Sequence, residues 1–154
     1  MPASTAAKQE RDFMRTLLKT AVLAFLLVTG CRSNTGDFVP NVLVDATISL
    51  NLPAYQQLNL IGGLVFVRDL GYRGLVVHRL TLDEFRAYDM ACTYQPSVAC
   101  HVVGLDTASN LLQCGCCESR FSLDGFPARG PASLNLRTYR TLFSPSTNTL
   151  RITN

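Results

Sequence analysis

Tryptophan is absent from this chain of 154 residues, histidine occurs only twice, and no lysine follows residue 19. With His78 and His101 as the whole imidazole complement, no Ser-His-Asp arrangement is assignable. No pair of carboxylates is set up for acid–base work either: Asp83, Glu84 and Asp89 read as strand-end and turn residues. Gly62-Gly63 lacks the surroundings of a phosphate-binding loop. The net charge of +3 is too small to argue for nucleic acid. Internal repeats, low-complexity tracts and amphipathic helices of three turns are missing too. What is present, 47% hydrophobic against 16% charged residues, suffices for a packed core and excludes disorder over the bulk of the chain.

Cysteine is the plentiful exception. Of six, Cys92, Cys100, Cys114, Cys116 and Cys117 fall within 26 residues, a clustering that points to a metal site, a disulfide network or both. The sixth, Cys31, closes an apolar run of about ten residues within 17–28, preceded by Lys8, Arg11, Arg15 and Lys19. That run is short for a permanent membrane span but suits the core of a secretory leader. Its end, Val28-Thr29-Gly30-Cys31, resembles the bacterial lipobox, in which the cysteine is acylated and becomes the mature N-terminus. The expectation is a lipoprotein signal peptide over 1–30, starting at Met1 or Met14, a polar tether over 31–39, and a folded domain over 40–154. Lipidated Cys31 would anchor the protein in the cell envelope, where thiols that hold no metal tend to pair. Beyond residue 30, ten arginines face nine acidic residues, which gives no attraction to a polyanion.

The mature part reads as all-β. Val42, Val44, Ala46, Ile48 and Leu50 alternate with polar residues as a half-buried strand does. Pro53–Leu58 suits a helical turn. Residues 64–67 and 75–80 form a hairpin pattern around Gly71 and Gly74, with His78 on a strand facing solvent or a polar pocket. Further strands are expected at 84–89, 102–105, 111–113, 120–123, 134–140 and 149–153. Many short strands at this spacing predict an antiparallel sandwich or partly open barrel.

Ala91-Cys-Thr-Tyr94, then Cys114-Gly-Cys-Cys-Glu-Ser-Arg-Phe121, Asp124-Gly125 and Gly130-Pro-Ala132, together resemble the Rieske iron–sulfur domain. In that family the boxes read Cys-Thr-His and Cys-Pro-Cys-His-Gly-Ser, and a Gly-Pro loop closes over the site. Short exported bacterial lipoproteins of Rieske type are also similar. The resemblance implies two hairpin loops presenting a [2Fe–2S] cluster, with thiolates on one iron and imidazoles on the other. Carried over, Cys92 and Cys114 are the thiolate ligands, while Tyr94 and Cys117 stand where the histidines belong. Cys92, Cys114 and Cys117 with a Tyr94 phenolate are then the ligand set. Such a cluster would be more negative than a His-ligated one, with a lower potential, closer to the plant-type ferredoxin regime of about −400 mV. The same thiolates suit zinc, and a fold that holds no metal is the third reading.

The resemblance further implies a disulfide between the loops. Cys116 matches its second-box member, and Cys100 lies three residues past the place of its partner; the alternative pairing is Cys92 with Cys114, leaving Cys117 single. Ser119 matches the serine that donates to a cluster sulfur, Phe121 replaces a hydroxyl-bearing tyrosine, and Gly130-Pro131 belongs to the covering loop. His101, next to Cys100, reaches the site only if the first loop folds back. The implied function is a membrane-anchored, one-electron carrier with an envelope redox partner rather than an enzyme. A Rieske-fold module without a cluster, disulfide- or zinc-stabilised, that serves as a structural or binding component of the cell envelope is the alternative.

Overall fold

A computed structural model describes residues 38–154. The expected leader 1–30, Cys31 and most of the tether lie outside the described residues. The fold is antiparallel and nearly all β. Its strands are β1 (Asp45–Ser49), β2 (Leu64–Val67), β3 (Leu75–Arg79), β4 (Phe85–Asp89), β5 (Val103–Asp106), β6 (Leu111–Cys114), β7 (Arg120–Phe121), β8 (Pro127–Arg129), β9 (Thr138–Ser144) and β10 (Thr149–Thr153). A 3-10 helix, Pro53–Asn59, with proline in its first turn, follows β1. Six strands form a curled half-barrel in the order β1-β10-β9-β4-β3-β2, and four form a smaller sheet, β5-β6-β7-β8.

Strands β3 and β4 are the wall between two cores. All five residues of β3, His78 and Arg79 included, are buried, so both faces of this strand are covered instead of one facing water. Leu75 and Val77, with Phe85 and Ala87 of β4, face a core completed by Val44, Ile48, Leu58, Leu150 and Ile152. Val76 and its cross-strand partner Tyr88 face the other way, into a second core with Met90, Val103, Leu112, Phe121 and Leu136. His78 belongs to this buried strand and is 7% exposed, which excludes the solvent-facing alternative of the two placements expected for it.

Two strand boundaries differ from the sequence reading for identifiable reasons. Of 134–140, only Thr138 onward is strand, and β9 then runs on to Ser144. Before it, backbone groups are taken by loops: Leu136 N–H bonds Gly125 O, and Arg137 O accepts from Asp89 N–H. Of 120–123, only Arg120 and Phe121 pair, because Ser122 starts a turn closed by Gly125 N–H. That turn leads into β8, which the sequence hid behind Pro127; at the edge of a sheet a proline is tolerated.

Candidate metal centre

Local pairing brings the two cysteine boxes together. The first box continues β4: Ala91 forms a bridge with Val102, Cys92 N–H bonds His101 O at 2.9 Å, and Val103 N–H bonds Met90 O at 2.8 Å. The second box ends β6, where Cys114 is the register partner of Val103. Residues 101–103 thus lie between the boxes and set Cys92 beside Cys114. A tight turn then returns the chain into β7. It is closed by Cys114 N–H on Ser119 O at 2.9 Å and Glu118 N–H on Cys114 O at 3.2 Å, with Glu118 in the left-handed region at φ 57°.

Three free thiols converge there. The sulfurs of Cys92, Cys114 and Cys117 all lie within 4.8 Å of one another, and Cys92 Sγ is 3.5 Å from Cys117 Sγ. Cys92 and Cys114 are buried at the end of the second core, and Cys117 is half-buried. Burial, with the other thiols adding to it, pushes the Cys92 thiol far above its ordinary value. Burial acts on Cys117 in the same direction, but hydrogen bonds from the Ser119 hydroxyl and backbone and from the Cys114 and Cys92 thiols outweigh it and hold Cys117 below the ordinary thiol value. Cys117 therefore ionises more readily than Cys92.

Ser119, fully buried, ties this sulfur to the cover. Its Oγ is 3.1 Å from Cys117 Sγ and accepts the Ala132 N–H at 2.9 Å. The loop carrying Gly130 and Pro131 thereby comes over the site through Ala132. A Cβ on Gly130 would make only ordinary contacts, at 3.6 Å or more, so space does not require glycine there. Gly125 is different: at φ +78° a Cβ would sit 2.7 Å from the Tyr88 ring. This close turn lets the Gly125 carbonyl accept Leu136 N–H and pin the far end of the cover.

Cys100 and Cys116 are joined by a disulfide, with Cα atoms 5.8 Å apart, linking the two loops. The imidazole of His101 and these sulfurs also lie within 4.8 Å of one another, but paired sulfurs offer no thiolate. His101 is buried and stacks on Tyr94, ring centroids 5.8 Å apart. Tyr94 packs against the second core. Phe121 fills the core beneath.

Sequence reading missed the role of Asp89. Fully buried one strand-end before the first box, it accepts from Tyr72 N–H at 2.6 Å, Arg73 N–H at 3.1 Å, Ala91 N–H at 2.9 Å and Tyr139 OH at 2.9 Å. The available signal was an acid following Phe85-Arg-Ala-Tyr88 in a buried strand, directly ahead of Met90-Ala-Cys92.

Three soft thiolate donors on loops closed by a disulfide fit a thiophilic metal, whether iron–sulfur or zinc. No histidine belongs to this group of three.

No family model matches the chain, and no curated protein matches it. Solved structures similar to it include the plasma-membrane Rieske protein PetC3 of Synechocystis PCC 6803, 22% identical, covering 60% of this chain and 87% of that one, with a TM-score of 0.48. The ferredoxin of carbazole 1,9a-dioxygenase from Nocardioides aromaticivorans IC177 is 17% identical, covering 73% of this chain and 98% of its own, with a TM-score of 0.45. A protein of Mycobacterium tuberculosis provisionally assigned as an NADH-dependent nitrite reductase small subunit is 18% identical, covering 74% of this chain and 97% of that one, with a TM-score of 0.41.

Proposed function

We propose that the chain is a Rieske-like iron–sulfur protein of the bacterial cell envelope, anchored through lipidated Cys31, that carries single electrons to or from an envelope partner. One observation carries this reading: Cys92, Cys114 and Cys117 stay unpaired and converge within 4.8 Å, beside an oxidised pair, Cys100 and Cys116. In an exported protein, thiols this close pair with each other unless a metal holds them. Resident iron would supply a one-electron couple. The chain's own groups prepare the place for it. Buried Cys92 and Cys114 exclude water from the inner side, and half-buried Cys117 leaves an edge that a partner protein can approach. Ser119 Oγ lies 3.1 Å from the Cys117 sulfur, and its hydroxyl would donate to a Cys117 thiolate and stabilise negative charge there. Tyr94 is the residue assigned to the fourth ligand place.

Zinc is the second reading, favoured by Tyr94 and Cys117 standing where imidazoles would be and by Cys114-x-x-Cys117 as a zinc half-site. The protein would then be a structural or binding module of the envelope. The test is anaerobic purification of the full chain from its native host, with iron and zinc analysis and EPR of the oxidised and the reduced sample. Iron with a reversible EPR signal, both lost in Cys114→Ser, is the expected result. Zinc alone identifies the structural module. Protein free of both metals with oxidised thiols contradicts both readings.

A further inference from the structure

We infer that the trithiol pocket holds one tetrahedral ion and not a two-iron unit; this rests on the metal-centre reading above. An ion bonded to thiolates at about 2.3 Å in tetrahedral geometry sets its sulfurs about 3.8 Å apart. Cys92 Sγ and Cys117 Sγ are 3.5 Å apart, and Cys114 Sγ completes a group within 4.8 Å. A two-iron unit has two ends. Ligands on opposite irons are separated by the length of the diiron core and by the metal–ligand bonds at both ends, more than the edge of one tetrahedron. If Cys92 and Cys117 served opposite ends, they would stand far apart, yet their sulfurs are in contact.

Side-chain length explains the convergence. A cysteine donates from its γ atom, whereas an imidazole donates from further out along the side chain. At position 117 the thiol therefore draws the donor back toward the buried Cys92. The local backbone holds it there: the turn closed between Cys114 and Ser119 keeps Cys117 beside Cys114. Ser119 Oγ, fixed by the Ala132 N–H, holds the Cys117 sulfur at 3.1 Å. Three thiolates and one further ligand make a complete sphere for a thiophilic divalent ion, ferrous iron or zinc.

The test uses the full chain, purified anaerobically in detergent. Metal and acid-labile sulfide are counted per chain, and the metal-stripped protein is titrated with cobalt(II), whose tetrahedral thiolate complexes absorb strongly in the visible. The expected result is one iron or zinc per chain, no labile sulfide, and cobalt absorption that saturates at one equivalent; the metal analysis decides which ion is native. Two irons with two sulfides per chain would overturn the single-ion inference while leaving the metal-centre reading intact. Protein that carries no metal and shows no cobalt band would sink the metal-centre reading itself, and the inference with it.

Discussion

Asp89 shows how much one buried side chain can organise. Its carboxylate collects three backbone N–H groups and the Tyr139 hydroxyl, and so ties the 72–73 loop and β9 to the strand that delivers the first cysteine box. Burial and this carboxylate together push the Tyr139 phenol above its ordinary value, which keeps it a proton donor. Asp89→Asn places an amide donor among groups that all donate. A loss of about 3 kcal/mol of unfolding free energy is expected in urea denaturation at pH 7. The sequence placed Asp89 at a strand end, and it does end β4. Its burial was not legible there, because Tyr72, Arg73 and Tyr139 lie 17, 16 and 50 residues away. His78 offers a pH readout. Burial lowers its pKa from 6.5, with the Asp124 carboxylate and the Leu123 backbone pulling the other way. A depressed value means that its contribution to stability is complete above pH 6.5 and is lost as pH falls through the folded-state value. Melting curves of the wild type should therefore shift downward on acidification more than those of His78→Leu.

Among the elements, legibility followed the local pattern. Strands β1, β4, β6 and β10 sit where alternation or β-branched runs put them, and the 3-10 helix sits at its proline. The alternating run 42–50 is shorter as a strand, since Val44 is paired at its end by Asn154 rather than by β10. The segments around the site were less legible, since their backbone bonds go to turns and cover loops rather than to a ladder. The cysteine spacing nonetheless singled out residues that the fold brings together: Cys92, Cys114, Cys117 and Ser119 are neighbours in space. Tyr94's stack on His101 could not be read from spacing, because it depends on how the first loop packs. The disulfide between Cys100 and Cys116, 16 residues apart, closes the loops around this group. Converting both to serine should lower stability by about 3 kcal/mol by chain-entropy reasoning, measured as the shift in denaturation midpoint without reductant. The three remaining thiols should then react faster with alkylating reagents, because the loops are no longer stapled.

At the scale of the whole molecule, the half-barrel is a base and the four-stranded sheet a holder for the loops. The shared wall, β3 and β4, is why the thiols end up buried: the second core runs from Val76 and Tyr88 through Leu112 and Phe121 to Cys92 and Cys114. A metal placed there would link that core to half-buried Cys117, as the proposed electron-carrier reading requires. The most direct measurement is X-ray absorption at the metal edge of the full chain purified anaerobically from its native host. A resident metal with three sulfur neighbours at about 2.3 Å, falling to two in Cys117→Ser, is the expected result. A resident metal bound only by nitrogen and oxygen, or protein with no metal at all, would contradict it.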